Sequence, residues 1–158
     1  MTVISVLRRS IPALVSRLFD YLNERTGTYV LCFDIVGLMR INDEISREAG
    51  DKVILESLKR INAAAGEDMP VLRIGGDEFV MVTGLDDVEK VTKIAKAVME
   101  KNGVETAYKG GTVPVSIRSG AVMIRKPLKY SMLCHDFDEV ISFARNDGEV
   151  HFAKAEQR

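Results

Sequence analysis

The chain has no tryptophan, only two cysteines and two histidines, and four prolines in 158 residues. Cysteines this sparse give no disulfide framework. Cys32 falls inside an apolar run, where a thiol acts as a small hydrophobe, and a reducing cytoplasm is the expected compartment. Neither His135 nor His151 has a partner at metal-ligand spacing, so surface or packing roles are expected for both, and Cys134 beside His135 is isolated. Charge of one sign is missing too. With 22 lysines and arginines against 23 acids, the chain carries no overall field to gather nucleic acid or an anionic membrane, and no nucleic-acid partner is expected. No run approaches the roughly 20 apolar residues of a membrane span, and residues 1–22 lack the compact apolar centre of a signal peptide. What is present is a 46% hydrophobic content, enough for one domain to bury a core without disulfides or structural metal.

Hydrophobic periodicity divides the chain. Val6, Leu7, Ile11, Leu14, Val15, Leu18 and Leu22 recur at helical spacing, predicting an amphipathic N-terminal helix. Tyr29 to Phe33 is a short continuous run of strand formers, the pattern of a strand buried on both faces, and it ends at Asp34. Gly37 to Ile45 reads as a short helix and Asp51 to Ala64 as a longer one, with Gly50-Asp51 as the break and Asp51 near the second N-terminus. Val71 to Ile74 and Phe79 to Val82 flank Gly75-Gly76-Asp77-Glu78, a hairpin signal because glycine reaches positive φ cheaply. Val88 to Val98 predicts a third helix closed by Asn102-Gly103. Val104 to Tyr108 reads as a short strand and Thr112 to Ile124 as a long one, with Pro114 marking an edge or a strand start. A helix around Asp136 to Arg145 and a strand from Val150 to Phe152 complete one α+β unit whose hairpin makes the sheet mixed.

Loops at strand ends are where sheets of this class place ligands, which makes Asp34 the first candidate. Magnesium takes hard oxygen ligands, usually one or two carboxylates completed by water and phosphates, and Asp34, Asp77 and Glu78 can supply them. If the strand ending at Asp34 lies beside the hairpin, these acids converge, the Ile35 carbonyl adds an oxygen, and two metals can be held. Taken alone, an Asp-Glu pair at a hairpin tip is equally well read as solvated turn chemistry. Likewise Asn42 alone reads as a helix-surface polar residue and Asp51 alone as an N-cap.

The heptapeptide Arg73-Ile-Gly-Gly-Asp-Glu-Phe79 resembles the signature of GGDEF domains, the diguanylate cyclase family. Upstream, Asp34-Ile-Val-Gly-Leu-Met-Arg-Ile-Asn-Asp43, then Ser46-Arg47, then Gly50-Asp51, is similar without gaps to the family's Asp-Ile-Asp-x-Phe-Lys-x-Ile-Asn-Asp, Gly-His, Gly-Asp. The resemblance runs from about Thr28 to Phe152. It implies a single domain over residues 1–158, with an N-terminal helix in 1–25 and a catalytic-type core in 26–153. The implied fold is α+β, a ferredoxin-like, palm-type mixed sheet, mainly antiparallel and flanked by helices. It makes Asp34, the Ile35 carbonyl, Asp77 and Glu78 the ligands of Mg²⁺ or Mn²⁺, with Asp77 and Glu78 the catalytic carboxylates. Gly75 and Gly76 admit triphosphate, and Arg145 stands where the family has a phosphate-gripping lysine. Asn42 and Asp51 become the guanine readers, since a carboxylate accepts from adjacent guanine N–H donors and adenine offers the wrong pattern. The implied reaction joins two GTP into cyclic di-GMP within a homodimer, in bacterial second-messenger signalling.

Several positions depart from the family. Its second acid is Val36 here, and its phosphate-contacting lysine is Met39. Its inhibitory product site, Arg-x-x-Asp, falls on Gly66 to Met69, so no such site is expected. The Arg-Asn that normally follows the C-terminal glycine is missing after Gly148. These losses motivate the alternative of a catalytically impaired, GTP-binding regulatory or interaction module. An upstream sensor or protein partner stays open.

Overall fold

The computed structural model describes residues 20–73, 75–125, 135, 136, 139, 140, 142 and 147–152. The architecture is α+β, as expected. A mixed sheet has the strand order β2-β3-β1-β6-β7. Its members are β1 (Tyr29–Ile35), β2 (Val71–Arg73), β3 (Glu78–Val82), β6 (Ile117–Met123) and β7 (Val150–Phe152). A separate two-stranded sheet joins β4 (Glu105–Tyr108) to β5 (Gly111–Pro114). The helices are α1 (Leu38–Glu44), α2 (Arg47–Ala64) and α3 (Val88–Met99). The predicted N-terminal helix lies outside the described residues except for 20–23, which are helical. Of the predicted C-terminal helix, residues 136, 139, 140 and 142 are described and helical.

β1 is central, and its antiparallel partners are β3 on one side and β6 on the other. Such a strand needs apolar residues on both faces. Leu31, Phe33 and Ile35 point into the main core, with Val53 and Ile61 of α2 and Val91 and Ala95 of α3. The alternate residues Val30 and Cys32 are equally buried on the opposite face. Cross-strand neighbours keep that face apolar, since Val30 pairs with Val82 and Val122, and Cys32 with Val80 and Gly120. Gly120 is small there of necessity: a Cβ would come 2.5 Å from Val140 Cγ2 and 3.0 Å from the His151 carbonyl.

Several boundaries differ from the sequence expectation. The strand expected to end at Asp34 continues to Ile35, so Asp34 has a cross-strand partner on each side. The long helix begins at Arg47 instead of Asp51, because the Ser46 hydroxyl accepts from the Ala49 N–H at 3.0 Å. That cap outweighs the helix-weakening Gly50, which sits inside α2. Thr112 to Ile124 is two strands, not one. Pro114 closes β5, and Val115 turns aside to bond Val104 and Gly103 through its backbone. α3 stops at Met99, so Asn102 does not close it. Instead its side-chain amide pairs with both backbone groups of Ile117 at 2.9 and 3.0 Å, standing in for a missing neighbour at the start of β6.

Candidate functional site

The register of the sheet builds the site. In β1, side chains of Cys32 and Asp34 share a face, and pairing places Glu78 of β3 and Arg118 of β6 on either side of Asp34. Asp77 ends the connection between β2 and β3, and its carbonyl accepts from the Ile35 N–H at 2.9 Å. This tethers the hairpin tip to the end of β1. Carboxylate oxygens of Asp34, Asp77 and Glu78 all lie within 4.8 Å of one another. The convergence expected from the sequence is therefore present. Three hard oxygen donors this close repel unless a cation joins them, and their chemistry fits a hard divalent ion.

Burial sets the electrostatics. Asp34 is 3% exposed, and desolvation raises its pKa from 3.8 to about 6; the charge of Asp77 adds to the rise, while the Arg118 guanidinium opposes it.

Arg73, for which the sequence suggested no role, organises the tip. Its Nε donates to the Gly75 carbonyl at 2.9 Å and its Nη2 to the Gly76 carbonyl at 2.6 Å. Gly76 is not among the glycines of positive φ, which corrects the expectation that the tip needs such a conformation: the turn is held by the arginine fork. Around Gly76 a Cβ would meet nothing within 4 Å. The backbone is thus open to an approaching ligand.

Asn42 lies half-buried on α1, and its side chain packs against α2. A Cβ on Gly50 would fall 1.7 Å from Asn42 Oδ1. Gly50 is therefore the notch that seats Asn42, one residue before the exposed Asp51. Asp51 lies within α2 and not at its N-terminus, so capping does not account for it. Arg145 lies outside the described residues. Met39, in α1, is 78% exposed.

Arg118 was missed in the sequence. Its guanidinium Nη2 contacts Asp34 Oδ2. The available signal was a lone charge among apolar and small residues of a buried strand. His135 and His151 have the surface or packing roles expected of them: their Nε2 atoms lie 3.7 Å from Glu139 Oε2 and 3.2 Å from Asp147 Oδ2. Among the described residues no helix is long and apolar enough to cross a membrane.

Comparison with known proteins follows the same lines. The family described as diguanylate cyclase, GGDEF domain, matches residues 8–151. The diguanylate cyclase DosC of Escherichia coli is 27% identical over 146 residues, covering 89% of this chain and 31% of that protein. This chain thus spans about a third of the length of that relative. Among solved structures, the GGDEF domain of TpbB, also called YfiN, from Pseudomonas aeruginosa superposes with a TM-score of 0.73 at 28% identity, covering 89% of this chain and 85% of the other. The GGDEF domain of DgcB from Caulobacter crescentus, solved with c-di-GMP, shares the fold with a TM-score of 0.71 at 20% identity, over 90% of each chain.

Proposed function

Because the chain belongs to the GGDEF family of diguanylate cyclases, we propose that it condenses two GTP molecules into cyclic di-GMP with release of pyrophosphate, using Mg²⁺ or Mn²⁺. The observation that carries this reading is the Asp34, Asp77 and Glu78 cluster, with its oxygens within 4.8 Å. When bound, the divalent ion supplies positive charge to phosphate oxygens and eases deprotonation of the 3′-hydroxyl. Asp34, Asp77 and the Ile35 carbonyl are the residues to hold it. Glu78, at the first position of β3, either completes that set or takes the hydroxyl proton on its carboxylate. The open backbone at Gly76, with Gly75 beside it, lets triphosphate approach, and Arg145 adds charge. Asn42 and Asp51 read the guanine edge from two adjoining helices.

Each 3′-oxygen forms a bond to the α-phosphorus of the other nucleotide, the α–β bridge breaks, and pyrophosphate departs with the electron pair. One chain presents one such cluster among the described residues, so two copies must face each other with one GTP in each. We read residues 1–158 as one such domain, working in the GTP-containing cytoplasm.

A second reading rests on Met39, which is 78% exposed where the family carries a phosphate-contacting lysine, and on Val36. With fewer cationic contacts, GTP binding survives better than turnover, and the chain serves as a regulatory or interaction module for a sensor or protein partner.

Incubation with GTP and Mn²⁺ across a range of protein concentrations, resolved by chromatography, distinguishes the two. The enzyme yields cyclic di-GMP and two equivalents of pyrophosphate. No product at any concentration, with a GTP-dependent rise in Tm retained, supports the regulatory module. No rise in Tm with GTP and metal defeats both.

A further inference from the structure

Arg118 is a cation built into a cation site. Directly opposite residues on antiparallel strands share a face, so Glu78, Asp34 and Arg118 form a row across β3, β1 and β6. Arg118 Nη2 donates to Asp34 Oδ2. Its Nε is buried and finds no acceptor among the described residues, so the one hydrogen bond to Asp34 holds the guanidinium in place. The pair is unevenly buried: the Asp34 side chain is 4% exposed and that of Arg118 33%. The carboxylate is fixed in the sheet, whereas the guanidinium has a path outward.

A divalent ion on the acidic cluster would share Asp34 with this guanidinium, placing two positive centres on one carboxylate. Repulsion between them opposes loading of the ion alone. A triphosphate removes the conflict, because a guanidinium fork pairs at least as well with phosphate as with carboxylate. Building on the metal and GTP site proposed above, we propose that Arg118 is a tethered competitor of the divalent ion for Asp34. Displaced from that carboxylate, it transfers its guanidinium to a phosphate of the incoming nucleotide. Ion and nucleotide therefore load together, and Arg118 supplies a phosphate contact in a site whose α1 position carries Met39.

The test is Mn²⁺ binding to the whole chain, read from the electron paramagnetic resonance of free Mn²⁺, with and without an α,β-methylene analogue of GTP. Arg118→Gln is expected to bind Mn²⁺ alone about tenfold tighter than the native protein, the size expected for removing a neighbouring charge. The gain in Mn²⁺ affinity brought by the analogue should shrink in the same variant. Arg118→Lys, which keeps the charge, should bind Mn²⁺ alone as weakly as the native protein. Unchanged Mn²⁺ affinity in Arg118→Gln, or an undiminished gain from the analogue, overturns the inference while leaving the metal and GTP site standing. Absence of Mn²⁺ binding from native protein and variant alike, with and without the analogue, overturns that site as well. Should Arg118→Gln fail to fold, the native protein decides: the Arg118 Nε–H resonance, assigned by its loss in Arg118→Lys, must move as Mg²⁺ saturates. A resonance that stays put defeats the inference.

Discussion

Asp34 holds its proton more tightly in the folded chain than in the open one, with its pKa raised from 3.8 to about 6 by burial first. Between those values the folded state binds more protons than the unfolded state, so stability of the metal-free protein falls as pH rises through the window. The loss attributable to this group is on the order of 2–3 kcal/mol. The proposed metal binding needs the deprotonated carboxylate, so on that proposal the slope reverses when a divalent ion is present. Thermal melts should therefore show Tm of the metal-free protein falling from pH 4 to 6.5, less so in Asp34→Asn, while the Tm increment from Mn²⁺ grows over the same range. Equal slopes in both proteins would refute this account of Asp34. The proposed guanine readers give a second test at this scale. Asp51 is exposed and leaves the metal cluster untouched, so Asp51→Ala should lower preference for GTP over ATP by at least about tenfold, with Mn²⁺ affinity unchanged in titration calorimetry. Gly50→Ala should act on Asn42 instead. Alanine favours the helix by roughly 1 kcal/mol, yet its Cβ would land 1.7 Å from Asn42 Oδ1. Tm should hold or rise while GTP affinity drops, a pairing that general unfolding cannot produce.

At the scale of elements, Arg60 fastens α2 to the backbone on either side of the small sheet. The guanidinium donates to the carbonyls of Lys101, Val115 and Val104 at 2.9–3.0 Å and pairs with Glu56 at 3.2 Å. Its side chain is 5% exposed, and its bond to the Val115 carbonyl is buried, so that carbonyl has little water to replace it. Arg60→Met should cost about 3 kcal/mol in urea denaturation, with Arg60→Lys intermediate, since one ammonium cannot serve three divergent acceptors. A change below about 1 kcal/mol would show that the segment re-solvates freely. This contact explains why residues 112–124 misled as a single strand. Alternation of apolar residues reports burial, and Val113, Val115 and Ile117 are all buried. It does not report that Val115 leaves the ladder to meet an arginine far away in sequence. Conversely, β1, β3 and α3 were legible because a buried central strand and a flanked hairpin are locally encoded, whereas the convergence of Asp34 with Asp77 and Glu78 was expected only on condition that β1 lie beside the hairpin, as the family resemblance implied. Arg118 was not, because what makes it part of the site is the register of β6 against β1, a non-local pairing. The start of α2 was misplaced because Gly50 reads as a breaker unless its contact with Asn42 is known.

At the scale of the whole molecule, stoichiometry governs. In the proposed condensation two nucleotides meet head to tail, and among the described residues each chain offers one acidic cluster. On that proposal a single copy binds GTP but leaves its 3′-hydroxyl without an α-phosphate to attack. If copies associate weakly, the rate of cyclic di-GMP formation at saturating GTP should climb with roughly the second power of chain concentration, then turn linear once dimers saturate. Fusion to a parallel two-stranded coiled coil raises the effective local concentration toward the millimolar range, and should move that turnover to much lower protein concentration without altering GTP affinity. Mixing Asp34→Asn with native chain should depress specific activity more than dilution does, because mixed pairs carry one defective half. A rate that stays strictly first order in chain from the lowest concentrations, with a monomer by sedimentation, would mean that one copy closes the ring alone. The sheet has no second cluster among its described residues to support that, so the quadratic regime is the expected result.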